Sequence, residues 1–214
     1  MTAVLTTDIR ANYSRIATAY AGSLADVLAV HARALAERLP LSGAERVAEL
    51  GCGPGRLLPY LDRLAPKARV IGVDLTEAML RQAPRQYARI GADAQALPFT
   101  TDSLDAVLMP SNLVTADPVK LAAALASAGF EHIEITSERF HHHPTAAQFL
   151  AHSTVIGAMA RRLDLLPEDR RTECVEAAER ELGRLGPEAF VESGTVLYAT
   201  ARVPVGRRVT AVRP

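Results

Sequence analysis

A strand-like segment that runs into three alternating glycines constrains the fold of this chain more than any other feature. The segment VAELGCGPGR occupies residues 47–56 and places glycine at 51, 53 and 55. Glycine lets the backbone turn tightly and approach a ligand closely, and a helix that follows such a turn presents free N–H groups to an anionic group. The pattern predicts an α/β fold that holds a nucleotide-type ligand beside its first strand.

The chain after this loop alternates between strand-like and helix-like patterns. RVIGVD at 69–74 is an apolar, β-branched run typical of a buried strand, and Thr76 is placed to cap a short helix after it. Further short strands are predicted at 88–92 and 104–109. Strands separated by helical patterns predict a parallel sheet with helices on both faces.

The flanking regions predict further helices and two more strands. The predicted elements are a helix at 23–39 with a capping-box-like start at Ser23 and Asp26, a helix from Asp117 and Pro118 that ends at Gly129, a strand at 132–140, two or three helices within 144–186 with one starting at Pro167, a strand at 194–203, and a basic tail at 206–214.

Length and composition predict one cytoplasmic domain covering residues 1–214. The 24 basic and 24 acidic side chains give a net charge of zero, which argues against non-specific attraction to nucleic acid or to a membrane surface. Cys52 and Cys174 are too few and too far apart for a disulfide framework or a metal site. No apolar stretch approaches the roughly 20 residues that span a bilayer.

Two classes of nucleotide-type site compete for the glycine loop. A dinucleotide fingerprint requires G-x-G-x-x-G, but the sixth position counted from Gly51 is Arg56. The pattern present is acidic-x-G-x-G-x-G, with Glu49 two residues before the first glycine. This makes a nicotinamide oxidoreductase the weaker alternative.

The acidic-x-G-x-G-x-G pattern resembles motif I of the class I S-adenosylmethionine-dependent methyltransferases. VIGVDLTEAML, GADAQALPF and DSLDAVLMP follow in that family's order and spacing. LAAALASAGFEHIEI and GTVLYATARV resemble the last strands of the small-molecule methyltransferases related to the ubiquinone and menaquinone biosynthetic enzymes. The resemblance implies a Rossmann-like doubly wound sheet, S-adenosylmethionine as cofactor and a small-molecule methyl acceptor.

The resemblance also assigns roles to individual residues. It implies that the glycine loop lies under the methionine part of the cofactor, that Asp74 holds the ribose, and that Asp93 and Ala94 hold the adenine. Pro110 would lie beside the transferring methyl group, and Tyr20 on the N-terminal helix would close over the cofactor, although ordinary helix packing explains this tyrosine equally well. The complete cofactor-binding set is Glu49, Gly51, Cys52, Gly53, Gly55, Asp74, Leu75, Asp93, Ala94, Pro110 and Tyr20.

The resemblance is interrupted between Pro110 and Asp117, where only SNLVTA stands. The family has an acceptor-side helix and a fifth strand here, in a sheet of order 3-2-1-4-5-7-6, and six residues cannot supply both. The last two strands are therefore expected to move against strand four or to leave its edge open. The alternative function is a protein of the same fold that binds the cofactor without methylating, and a compact variant, a truncated chain and a partner chain that completes the sheet all remain open.

Candidate catalytic and lid residues lie in the C-terminal part. His141 and His143 share one face of a strand and are the candidates for a general base, although a solvated strand end is the simpler explanation. The histidines have no third partner for a metal, so no metal site is predicted. Cys52 is interpreted as a small apolar side chain rather than a redox sensor. The helices within 144–186 are expected to form a lid, and a homodimer is possible.

Overall fold

The computed structural model describes residues 2–110 and 117–204, so the SNLVTA connection and the basic tail lie outside the described residues. The elements in chain order are α1 (Thr2–Ala36), β1 (Arg46–Leu50), α2 (Leu58–Leu64), β2 (Arg69–Asp74), α3 (Glu77–Leu80), β3 (Ala88–Gly91), β4 (Ala106–Leu108), α4 (Pro118–Ser127), β5 (Glu131–His142), α5 (Ala146–Val155), α6 (Gly157–Leu163), α7 (Glu168–Leu182), a 3₁₀ turn (Pro187–Phe190) and β6 (Glu192–Arg202).

The first four strands form a parallel sheet of order β3-β2-β1-β4. In β1, Val47 lies opposite Val70 of β2 on one side and Ala106 of β4 on the other. The last four residues of β1 are buried, as are the middle four of β2, because both strands are covered on both faces. The predicted α/β class with a Rossmann-like parallel sheet is confirmed.

The two faces of this sheet are covered differently. Val47 and Val70 pack into a core with the end of α1 and with Leu58 and Leu61 of α2. On the other face, Ile71 clusters with Leu50 of β1 and Val73 of β2. The apolar side chains packed against this cluster come from β3 and from the connection between β3 and β4; they are Ala88, Ile90, Ala92, Leu97, Phe99 and Leu104. Within the described ranges this connection takes the place of the expected helical cover.

Helix α1 differs from its prediction. It runs unbroken through Ser23, so the predicted helix start there is wrong, because the preceding residues continue the helical pattern. The buried residues of α1 recur at helical spacing and are mostly small, which lets the helix pack closely; they are Ile16, Ala17, Ala21, Ala25, Ala29, Ala32 and Ala36. α1 packs against α3 and α5.

The last two strands form a separate antiparallel hairpin, with Phe140 of β5 opposite Gly194 of β6. Within residues 2–110 and 117–204, no strand pairs with the outer edge of β4, so the hairpin does not move up against it. On the second face of β4, Val107 is 44% exposed and Met109, just after the strand, is 46% exposed. The open edge is thus the arrangement that the described residues adopt.

The C-terminal helices follow their predicted pattern. Asp117 caps α4 by accepting hydrogen bonds from the N–H groups of Val119 and Lys120 at 2.9 and 3.2 Å, and Gly129 follows the helix with φ 97°. Three helices lie between the hairpin strands, and Pro167 immediately precedes α7. None of the helices in the described part of the chain is both long and apolar enough to cross a membrane.

Candidate functional site

The glycine loop leaves β1 at the carboxyl edge of the parallel sheet. Gly51, Gly53 and Gly55 all adopt the left-handed conformation, with φ of 68°, 53° and 72°. The N–H of Cys52 donates to the carbonyl of Val73 at 3.0 Å, and the N–H of Gly55 donates to the carbonyl of Cys52 at 2.8 Å. These bonds hold a tight turn against β2 before α2 begins.

The three glycines differ in the space around them. A Cβ at Gly55 would lie 2.9 Å from Cβ of Ala83 and 2.9 Å from Cδ1 of Leu58, so this position is closed by packing. A Cβ at Gly51 would meet nothing within 4 Å, and one at Gly53 would lie 3.9 Å from the ring of Tyr20. The loop is therefore packed at its end and open at its beginning.

Asp74, at the end of β2, joins that strand to the glycine loop. Its Oδ2 accepts a hydrogen bond from the N–H of Gly53 at 2.8 Å, and its Oδ1 accepts one from the N–H of Thr76 at 2.7 Å. An ionised carboxylate offers about four acceptor positions, so two of them remain for a ligand. This arrangement suits a group with two hydroxyls, such as a ribose.

Glu49 is the buried acid of the site. Its side chain is only 4% exposed, and within the described residues its Oε2 has no hydrogen-bond partner. Burial, and then the charge of Asp74, raise the pKa of Glu49 to about 8. Glu49 therefore carries a proton at neutral pH in the absence of a ligand.

The side chain of Cys52 has a structural role. A Cβ at Gly72 would lie 2.8 Å from Sγ of Cys52, so the thiol fills the space beside this glycine of β2. Burial, followed by the charges of Glu49 and Asp74, raises the pKa of the Cys52 thiol. A protonated, buried thiol is a poor nucleophile, which supports the interpretation of Cys52 as a small apolar side chain.

Helix α1 covers the open part of the loop. The ring of Tyr20 lies above Gly53 and meets the ring of Tyr13 edge-on, with centroids 5.9 Å apart. Burial, the Tyr13 hydroxyl, Asp74 and Glu49, in that order, raise the pKa of Tyr20 to about 12. Tyr20 thus stays neutral and can donate a hydrogen bond.

Arg56 fixes α1 to the loop, a role that the sequence did not reveal. Its Nε pairs with Asp26 at 3.0 Å, and its guanidinium donates to the carbonyl of Ala21 at 2.7 Å. Arg56, at the position where a dinucleotide fingerprint has its third glycine, therefore links the loop to α1. Spacing could not show this contact, because both partners lie some 30 residues upstream.

The other predicted residues lie along the same edge of the sheet. Gly91, the last residue of β3, is opposite Asp74, and the N–H of Ala92 donates to the carbonyl of Asp74 at 3.0 Å. The partly buried Asp93 follows directly, with its Oδ1 accepting from the N–H of Gln95 at 2.9 Å. The remaining predicted positions at this edge are the half-buried Leu75, the exposed Ala94, and the half-buried Pro110 just after β4.

The two candidate bases lie elsewhere. His141 and His143 are exposed at the end of β5, and among the described residues no hydrogen bond or ring contact joins them to the glycine loop. The ring of His142 instead stacks on His152 of α5, with centroids 6.4 Å apart. Across the described ranges, no group of three potential ligand side chains could hold a metal ion.

Known proteins match the part of the chain that builds this edge. Residues 47–129 match the family model described as a methyltransferase domain. The malonyl-[acyl-carrier protein] O-methyltransferase of Legionella pneumophila is 43% identical over 68 residues, which are 29% of this chain and 24% of that protein. The trans-aconitate 2-methyltransferase of Rhodopseudomonas palustris is 52% identical over 52 residues, which are 24% of this chain and 20% of that protein.

The matched stretches thus span only about a quarter of the length of these curated relatives. Among solved structures, a phosphoethanolamine N-methyltransferase 2 from Haemonchus contortus in complex with S-adenosylhomocysteine aligns with 81% of this chain and 52% of its own, at 14% identity and a TM-score of 0.47. Residues 47–129 are thus similar to a methyltransferase domain, and they contain the glycine loop, Asp74 and most of the parallel sheet.

Proposed function

We propose that this chain binds S-adenosylmethionine and transfers its methyl group to a small-molecule acceptor. The observation that carries the proposal is the bond between Asp74 and the glycine loop. It places a carboxylate with two unused acceptor positions beside an open, left-handed turn, at the carboxyl ends of two parallel strands. The methyltransferase-domain match covers all of these residues.

The residues present fit this cofactor. The open space at Gly51 and the unpartnered Oε2 of Glu49 leave room and polarity for an amino-acid moiety. Asp74 would accept hydrogen bonds from the ribose hydroxyls, and Asp93 with Ala94 would hold the adenine at the end of β3. Tyr20 would cover the methionine part from α1. The proposed cofactor-binding set also includes Cys52, Gly53, Gly55, Leu75 and Pro110.

The cofactor supplies an electrophilic methyl group, so the protein needs chiefly to position the acceptor and to exclude water. The α1 helix serves this purpose because Arg56 and Tyr20 hold it over the glycine loop. An acceptor that must lose a proton would also need a base, and His141 and His143 remain candidates for that role only if the end of β5 approaches the acceptor.

The helices between the hairpin strands are proposed as a lid within a single domain of residues 1–214. α5 lies inside the 144–186 segment and packs against α1. Its Val155 joins the apolar cluster of Ile16, Ala17 and Met79, which Tyr20 flanks. The two free cysteines favour a cytoplasmic location. The proposal also includes assembly of the chain as a homodimer.

Ligand-induced stabilisation in wild type and in Asp74→Ala tests the cofactor. S-adenosylmethionine and S-adenosylhomocysteine at 100 times their Kd should each stabilise the wild type by about 2.7 kcal/mol, and NAD should not. Asp74→Ala should abolish the stabilisation, because it removes the ribose acceptor and frees the N–H of Gly53. Asp169→Ala, on the first turn of α7, is the control and should respond like the wild type.

A panel of acceptors then tests transfer. Methylated product from any small acceptor, detected by mass and lost in Asp74→Ala, is the expected result. Stabilisation by NAD but by neither sulfur ligand would refute the cofactor assignment. Tight binding of S-adenosylmethionine with no product from any acceptor would instead favour a non-methylating protein of this fold.

A further inference from the structure

Glu49 is a buried acid whose neutral form has no role in the proposed methyl transfer. Its Oε2 is buried and has no hydrogen-bond partner among the described residues, and an orphaned polar atom of this kind normally has a role or a missing partner. Glu49 lies two residues before Gly51, and the space at Gly51 is open. The charge of Glu49 also raises the pKa of Tyr20 above the loop and of Cys52 within it, so the Glu49 carboxyl lies close to the glycine loop.

The groups that surround Glu49 are acidic or neutral. They are Asp74 on β2, Tyr20 on α1 and the thiol of Cys52 in the loop, and no cation in the described part of the chain is among the groups that shift the pKa of Glu49. Asp74 receives two backbone N–H bonds, whereas Glu49 receives none on Oε2. Burial and the nearby charge of Asp74 both oppose ionisation of Glu49, so Glu49 keeps its proton.

The neutral state has a chemical consequence for ligand binding. A buried carboxyl that lacks a cation stays protonated, but a bound cation favours the ionised form and expels the proton. S-adenosylmethionine and S-adenosylhomocysteine both carry an ammonium group at their amino-acid end, so either one would supply the missing cation.

We propose that Glu49 is protonated in the ligand-free protein and releases its proton to solvent when the ammonium group of the cofactor binds beside it. The neutral carboxyl becomes a carboxylate paired with the ammonium, and one proton leaves for each site filled. This inference rests on the proposed function, since it requires the cofactor's amino-acid end to lie over the glycine loop.

The coupling predicts a pH dependence of affinity. Because the ligand pairs with the ionised form, the protein must lose a proton before or during binding. Without a ligand, the pKa of Glu49 is about 8. Below that value the affinity for S-adenosylhomocysteine should rise by roughly tenfold for each pH unit, until the ionised form predominates. Glu49 is thus a ligand-binding residue that becomes charged only when the ligand binds.

Calorimetry in buffers of different ionisation enthalpy measures the proton directly. At pH 7, where the cofactor's ammonium is already charged, S-adenosylhomocysteine should release close to one proton per site. The 5′-methylthioadenosine analogue lacks the amino-acid end and should bind without proton release. Glu49→Gln should bind S-adenosylhomocysteine without proton release and without the pH dependence, and the exposed Glu45→Gln should behave like the wild type.

A second measurement on the ligand-free wild type keeps the test independent of the variant's folding. The ¹³C signal of the Glu49 carboxyl should titrate near pH 8 in the ligand-free protein and at lower pH with S-adenosylhomocysteine bound. Three results would each overturn the proposal while the proposed function stands. They are binding of S-adenosylhomocysteine without proton release, equal proton release with methylthioadenosine, and titration of Glu49 near its ordinary pKa in the ligand-free protein. Absence of binding by both ligands would refute the proposed function itself.

Discussion

The parallel sheet and the C-terminal hairpin differ in how deeply their strands are buried. In the sheet, β1 and β2 are almost wholly buried and carry the glycine loop and Asp74 at their ends. In the hairpin, β5 has no buried residue and β6 has one, Tyr198. The region that holds the candidate site therefore has its own buried core, whereas the hairpin depends on its packing against α1 and α4.

The connection between the two regions explains this asymmetry. α4 packs on β5, and His31 of α1 meets the ring of Phe140 with centroids 4.9 Å apart. Arg38, just after α1, also pairs with Glu138 of β5. The hairpin is therefore held by side chains of α1 and α4 and of the residue just after α1.

The largest expected effect contrasts a buried leucine beside the sheet with an exposed leucine in the segment between the hairpin strands, just after α6. Leu58→Ala removes a side chain that is 0% exposed in the core between α1, α2 and the sheet, so it should destabilise the protein by about 2–5 kcal/mol. Leu165→Ala, at a position that is 84% exposed, should change stability by less than about 0.5 kcal/mol. Urea unfolding measures both, and equal costs would refute the contrast in burial.

The glycine loop offers a sharper comparison within the buried region. Gly55→Ala should cost the roughly 1–2 kcal/mol of a left-handed residue and a further 1–3 kcal/mol for the close approach to Ala83 and Leu58. Gly51→Ala has a similar φ but open space, so only the first cost should apply. Thermal unfolding of the two variants isolates the packing cost. If Gly51→Ala is as damaging as Gly55→Ala in the absence of ligand, the beginning of the loop is not open.

The sequence predicted the buried region better than the exposed one. The observed bounds of β2 match the predicted 69–74, and β1 ends at Leu50, just before the first glycine of the loop, because an apolar β-branched run between turn residues has few other structures open to it. The start of α1 was wrong because helical patterns on both sides of Ser23 continue through it. The separation of the hairpin from the sheet was one of two open alternatives, since edge pairing depends on tertiary contacts.

In the candidate site, too, the features that depend on tertiary contacts could not be predicted from the sequence. The meeting of Asp74 with the glycine loop follows from topology, because adjacent parallel strands end at the same edge. The neutral state of Glu49 does not, because it depends on how completely α1 and the loop exclude water from that carboxyl. The clamp formed by Arg56 was likewise hidden, because its partners Asp26 and Ala21 belong to a helix whose packing the spacing does not encode.

Two carboxyls at opposite ends of the sheet should give opposite pH dependences of stability. Asp105 accepts hydrogen bonds from the N–H groups of Glu45 and Arg46, which lower its pKa, so its contribution is present above its unfolded pKa and is lost as the pH falls. Glu49 has a raised pKa, so its contribution is complete below about pH 4.5 and is lost as the pH rises toward 8.

Urea unfolding of the ligand-free protein across this range separates the two contributions. Asp105→Asn should flatten the acid side of the stability profile, and Glu49→Gln should flatten the alkaline side. A profile of the wild type that keeps rising from pH 5 to pH 8, unchanged in Glu49→Gln, would contradict the neutral state of that carboxyl.

The smallest expected effect concerns the link between the two regions. Arg38, just after α1, lies over the ring of Tyr198 at 4.0 Å from its centroid and pairs with Glu138 on β5. Arg38→Ala should cost about 1 kcal/mol, because a partly exposed cation–π contact and ion pair are each worth little. Hydrogen exchange should become faster in β5 and β6 and stay unchanged in β1 and β2, whereas Arg170→Ala on α7 should alter neither. Equal loss of protection in all four strands would show that sheet and hairpin unfold as one cooperative unit, so that the weakly buried hairpin draws its stability from the same core as the glycine loop.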